Sequence, residues 1–155
     1  MYSAQTKVCQ TDRTKQEGVS LSKNNIVIVK NNQPELDLMT AYISEIFEQH
    51  ECAGATVIGF LDPKKALEHI AQNGCDILFS DIELCGMDGL LFLREVQKRS
   101  PQTNIVITTA YDEYVVEAVQ MQIRLAGYLS LPVTISKIGK LISNILSQMK
   151  VAEAG

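Results

Sequence analysis

The chain has 155 residues, 46% hydrophobic and 21% charged, with a formal net charge of −4. That composition fits one compact domain with enough length to bury a core without disulfide staples. The negative balance leaves no basic footprint for nucleic acid, and no stretch reaches the roughly 18 apolar residues that a membrane span needs. Cys9, Cys52, Cys75 and Cys85 are scattered, with no C-x-x-C and no clustered histidine, so they read as reduced thiols rather than a zinc or disulfide framework.

Residues 1–24 are rich in Gln, Thr, Ser and Lys and are expected to form a flexible N-terminal tail, because they carry little apolar surface to offset ordering entropy. Ile26 to Val29 is a continuous apolar run of the kind a parallel strand shows when both its faces are covered. A polar turn, Lys30 to Pro34, precedes Leu36, Met39, Tyr42, Ile43, Ile46 and Phe47 at helical spacing. The alternation then repeats. Thr56 to Leu61 is a second strand, with Asp62 and Pro63 as cap and first residue of a helix that Gly74 ends. Ile77 to Asp81 is a third strand. Its loop runs through Asp88, read as a helix cap, into Leu90, Leu91, Leu93 and Val96, and the helix stops before Pro101.

Ile105 to Thr108 is a fourth strand, and Asp112 is expected to cap the helix after it. Gly127 to Leu131 is a fifth strand, broken by Pro132. The last helix carries Ile135 to Met149 at apolar spacing, leaving residues 151–155 as a short tail. Five strand–helix units with short connections predict an α/β, doubly wound parallel sheet over residues 25–150. The carboxyl edge of such a sheet collects Lys30, Asn31, Asn32, Asp81, Glu83, Thr108, Thr109 and Leu131, and ligands of these folds bind at that edge.

Two segments carry a resemblance. Asp81-Ile82-Glu83-Leu84-Cys85-Gly86-Met87-Asp88-Gly89 and Ile105-Val106-Ile107-Thr108-Thr109-Ala110-Tyr111-Asp112-Glu113-Tyr114 resemble the receiver domains of response regulators, most closely those of LytTR-type regulators. Leu131-Pro132-Val133 is similar to the K-P-V that closes the family's fifth strand. The resemblance spans Asn25 to Met149 and implies the flavodoxin-like (βα)5 fold with five helices. It also implies that Asp81 is a phosphoacceptor, Thr109 the hydroxyl that contacts the phosphoryl group, and Tyr128 the switch aromatic. In such a site the carboxylate attacks a phosphoryl group while Mg²⁺ and a lysine neutralise charge, and hydroxyl and ring then read the new anion.

The sequence departs from that pattern where charge is needed. Asn31 and Asn32 stand in the turn that carries the family's acid pair, or Lys30 and Asn31 if the register shifts by one residue. Leu131 stands at the lysine position. No tightly bound cofactor is expected, and Mg²⁺ only weakly, on Asp81 and the Glu83 backbone carbonyl. Lys30 is placed to reach Asp81 and fill the pocket with a fixed cation. Cys85 replaces the family's proline and reads as a small filler. Residues 119–126 are about two longer than in LytTR-type receivers, and Val115, Val116, Ala118, Val119 and Ile123 spread broadly round the fourth helix.

The resulting expectation is a non-enzymatic, cytoplasmic, pseudo-receiver-like signalling module that acts by protein–protein interaction. The alternative is a working phosphoacceptor in a phosphorelay, modified on Asp81. Partners implied are a sensor histidine kinase or another signalling protein, or a second copy through the fourth helix, fifth strand and fifth helix, with neither nucleic acid nor membrane. A haloacid-dehalogenase-like phosphatase fails because its aspartate should end the first strand, and a flavodoxin-like cofactor site fails because Lys30 to Pro34 lacks a Ser/Thr/Gly-rich phosphate loop.

Overall fold

A computed structural model describes residues 4–9, 24–49 and 55–154. In chain order the elements are β1 (Ala4–Cys9), β2 (Asn24–Val29), α1 (Gln33–Gln49), β3 (Ala55–Phe60), α2 (Pro63–Asn73), β4 (Ile77–Asp81), α3 (Gly89–Arg99), β5 (Asn104–Thr109), α4 (Glu113–Gln120), β6 (Leu125–Ser130) and α5 (Ile135–Ala154). The sheet order is β1-β3-β2-β4-β5-β6, with β2 to β6 mutually parallel and β1 antiparallel to β3. The five expected parallel strands and five helices are all present.

The inner parallel strands β2, β4 and β5 are buried on both faces, so their alternate residues feed two separate cores. Ile26, Ile28, Ile77, Phe79 and Val106 pack with Leu36, Ile43, Ile138 and Ile142 of α1 and α5. Val27, Val29, Leu78, Ile105 and Ile107 pack with Ala66, Ile70, Phe92, Leu93 and Ala118 of α2, α3 and α4. Local signals set the helix ends. Asp62 accepts from the Lys64 amide, Pro63 occupies the first turn of α2, and Gly74 closes it at φ 75°. Asp88 accepts from the Leu90 and Leu91 amides. Gly89 must lack a side chain, because a Cβ there would collide with the Ile82 carbonyl.

Three expectations need correction. Ala4–Cys9 lies within the expected tail yet pairs along β3, from Ala4 opposite Phe60 to Cys9 opposite Ala55. The pairing rests on backbone hydrogen bonds that the β3 edge supplies, and those do not depend on apolar content. The rest of the expected tail, residues 1–3 and 10–23, lies outside the described residues. Helix α5 runs on to Ala154, through the first four residues of the expected C-terminal tail, because Lys150 to Ala154 hold no helix breaker. The Asp112 side chain makes no capping hydrogen bond to α4; its carboxylate accepts instead from the Tyr128 hydroxyl at 3.4 Å.

Candidate functional site

The chain leaves β2 to build β3 on one side and then β4 on the other, so the parallel order reverses between β2 and β4. A crevice opens beyond the carboxyl ends of two strands that part in this way. Register then decides which side chains meet there. Val29 pairs with Ser80, which brings the next residues, Lys30 and Asp81, level with each other; Asp81 pairs with Thr108, and Thr108 with Leu129. Lys30, Asp81 and Thr108 continue the same alternation as Ile28, Phe79 and Val106, so all three stand on the α1/α5 face. Neighbouring strands lie about 4.8 Å apart, and three polar side chains on one rung are therefore within bonding reach.

They bond. Lys30 Nζ donates to Asp81 Oδ1 at 2.8 Å and to Thr108 Oγ1 at 3.2 Å, and the Thr108 hydroxyl donates to the same Asp81 oxygen at 2.6 Å. The Asn31 amide donates to Asp81 Oδ2 at 3.1 Å. Glu35 Oε1, from the half-exposed first turn of α1, lies 3.7 Å from Lys30 Nζ. Lys30 is 1% exposed and Asp81 4%. An ammonium and a carboxylate so buried persist only when paired and hydrogen-bonded, and here both are.

The two asparagines play different parts. Asn31 borders the pocket through its backbone, while its side chain donates to the Glu83 carbonyl at 2.8 Å. Asn32 is turned to α1, where its carbonyl oxygen accepts from the Glu35 amide at 2.9 Å, and its amide group donates to Asn31 Oδ1. Of the two registers open at the turn, the one that sets Lys30 and Asn31 beside Asp81 is the one observed. Leu131 is 38% exposed and brings no charge.

The hydroxyl bonded to Asp81 is that of Thr108, while Thr109, expected to contact a phosphoryl group, lies on the opposite strand face and accepts from the Tyr111 amide at 3.0 Å. Strand parity was the signal: Thr108 shares its face with Val106, and Thr109 does not. Glu35 was also missed as a neighbour of Lys30. The Tyr128 ring is 42% exposed, with its hydroxyl on Asp112. In the loop after β4, Cys85 is exposed, whereas Cys75 is buried, donates its Sγ hydrogen to the Ile77 carbonyl and has its thiol pushed up by burial.

A divalent cation does not fit these donors. Mg²⁺ wants free oxygen ligands in near-octahedral array, usually with one or two carboxylates. Both Asp81 oxygens have donors from the chain, the Glu83 carbonyl holds Asn31, and Asp88 caps α3. Lys30 and Asp81 cancel to a formal charge of zero, which leaves only the half-exposed Glu35 carboxylate beside them and weakens the attraction for a second cation. Among the described residues no group of three or more His, Cys, Asp or Glu could hold a metal ion, and no helix is long and apolar enough to cross a membrane.

The family model for the response regulator receiver domain matches residues 26–143. The chain is 32% identical over 95 residues to the DNA-binding transcriptional regulator NtrC of Escherichia coli (strain K12), covering 61% of this chain and 20% of that protein. It is 33% identical over 90 residues to the positive alginate biosynthesis regulatory protein of Pseudomonas aeruginosa, covering 51% of this chain and 36% of that one. The chain thus spans about a fifth to a third of these relatives. Among solved structures, the signal receiver domain of an HD domain-containing protein from Pseudomonas fluorescens Pf-5 superimposes with a TM-score of 0.72 at 18% identity, over 91% of this chain and 98% of that one. A receiver domain from Clostridium thermocellum gives 0.70 at 17%, over 83% and 98%. Identities that low speak for the fold alone.

Proposed function

The chain belongs to the response regulator receiver domain family, and on that premise we propose that it is a pseudo-receiver, a two-component signalling module that works by protein–protein contact with little or no phosphorylation of Asp81. Receiver domains are in general signalling modules rather than enzymes. The observation that carries the reading is the 2.8 Å buried pair of Lys30 Nζ and Asp81 Oδ1. An aspartyl nucleophile needs a free carboxylate oxygen, a metal to gather the phosphoryl oxygens and a second cation to neutralise charge. Asp81 has donors on both oxygens, Leu131 offers no cation, and Asn31 and Asn32 offer no carboxylate.

The proposed contact surface is the α4–β6 face. Tyr111, Val116, Val119, Tyr128 and Leu131 are exposed there, five of the seven large hydrophobic side chains that the described residues leave open, the others being Leu38 and Leu91. Exposed apolar groups gathered in one place mark an interaction surface better than the same groups scattered. A sensor histidine kinase or another cytoplasmic signalling protein, or a second copy of the chain through α4, β6 and α5, is the partner this reading assigns.

One observation favours the other reading, a working phosphoacceptor: Lys30 and Thr108 set a cation and a hydroxyl donor beside Asp81, and these would also neutralise a phosphoryl group. Incubation with acetyl phosphate and Mg²⁺, followed by intact-mass analysis and peptide mapping, separates the two. The pseudo-receiver reading predicts no phosphoryl adduct on Asp81. A robust Mg²⁺-dependent adduct there, absent from Asp81→Asn, would establish the phosphoacceptor.

A further inference from the structure

Lys30 Nζ sits among three side-chain oxygens from three different segments: Asp81 Oδ1 at 2.8 Å from β4, Thr108 Oγ1 at 3.2 Å from β5 and Glu35 Oε1 at 3.7 Å from α1. Oxygen donors gathered round one point charge are what a hard divalent cation also requires. An ammonium, however, arrives on its own four-carbon stem and supplies a single charge. The stem here is held by a buried backbone whose amide donates to the Phe60 carbonyl, so the charge has no route out of the pocket short of local opening. Position 30, directly after β2, follows the pairing of Val29 with Ser80 and so stands level with Asp81, where a carboxylate would face Asp81 at strand spacing.

We infer that Lys30 is a tethered cation that sets the metal specificity of this pocket: it excludes divalent ions from Asp81, and the residue at position 30 selects between ammonium and metal. This rests on the interaction-module reading, for which it names the device that keeps Asp81 closed. With Lys30→Asp the ammonium leaves, two carboxylates face each other on one rung, and Glu35 and the Glu83 carbonyl lie on the same rim. The pocket then changes from a formal charge of zero to −2 before Glu35 is counted, and opposite charge at such distances is worth on the order of a few kcal/mol per charge.

Mn²⁺ binding to the full chain, read from the free-ion electron paramagnetic resonance signal, tests the inference. The wild type is expected to leave the signal unchanged at millimolar Mn²⁺. Lys30→Asp is expected to bind at least about tenfold more tightly than the wild type, and Lys30→Asp with Asp81→Asn to lose that gain. Asp81-dependent Mn²⁺ binding by the wild type overturns the inference, as does a folded Lys30→Asp protein that binds no better. Should Lys30→Asp not fold, Lys30→Asn, which removes the cation and adds an amide oxygen, must still bind Mn²⁺ more tightly than the wild type, and equal affinity overturns the inference. Mn²⁺ on wild-type Asp81 without acetyl-phosphate modification would sink this inference and leave the interaction-module reading standing. Modification of the wild type that needs no divalent ion would do the reverse.

Discussion

Replacing Lys30 with methionine removes the buried cation and keeps an unbranched stem of similar length, so the charge is tested more than the packing. At 2.8 Å and an effective dielectric near 20, the attraction between Lys30 and Asp81 is about 6 kcal/mol. Desolvation costs several kcal/mol per ion, so the pair as a whole contributes little net stability. Losing one partner is different. The Asp81 carboxylate would stay buried with only the Thr108 hydroxyl and the Asn31 amide as donors, and an uncompensated buried charge costs about 3–5 kcal/mol. That is a large share of the about 5–15 kcal/mol that holds an ordinary domain folded. Lys30→Met combined with Asp81→Asn, which makes the pocket neutral, is expected to recover most of the loss. Because the chain has no tryptophan, urea unfolding is best followed by far-ultraviolet circular dichroism, with the coupling taken from the double-mutant cycle. A Lys30→Met loss below about 1 kcal/mol, or strictly additive effects, would show that the two charges are not coupled in the pocket.

Three other outcomes follow from the same geometry. Asp88→Ala removes the acceptor for the Leu90 and Leu91 amides and should lower stability by about 1 kcal/mol in urea titration. Gly89→Ala, which forces a methyl group onto the Ile82 carbonyl, should cost at least the upper end of about 1–3 kcal/mol. Burial raises the Cys75 thiol above its unfolded value, so its contribution is complete below the ordinary thiol range and is lost as pH climbs through and beyond it. Peptide-mapped alkylation of the native protein should accordingly label exposed Cys85 and spare Cys75, and Cys75→Ala should flatten the alkaline fall in the urea midpoint.

The fold was largely readable because a parallel sheet buried on both faces writes itself as apolar runs. Ile26 to Val29 and Ile77 to Phe79 are such runs, and Asp62-Pro63 with Gly74 marked α2 at both ends. The β1 strand was not readable, because an edge strand is recruited by unpaired backbone groups on β3 and composition is blind to those. Within the site, Asp81 and the reach of Lys30 followed from strand-end positions. The Thr108 hydroxyl on Asp81 became visible only with the pairing of Asp81 and Thr108, since a one-residue slip sends a side chain to the other face of the sheet. The same one-residue ambiguity set Asn32 beside the acid pocket on paper, although it caps α1 in the fold. Asp112 shows the limit of capping rules: it stands at the right position before α4, yet the Tyr128 hydroxyl holds its carboxylate.

The central claim is that Asp81 is closed by Lys30 and is not a charge acceptor in use. Beryllofluoride, which binds a free aspartate beside Mg²⁺ as a phosphoryl mimic, probes that claim without a kinase. In a nitrogen-15 amide spectrum of the full chain recorded with Mg²⁺, the signals of Asn31, Thr108 and Thr109 report directly on the pocket. They are expected not to move when beryllofluoride is added to the wild type. Saturable shifts at those three amides, abolished by Asp81→Asn, would contradict the claim.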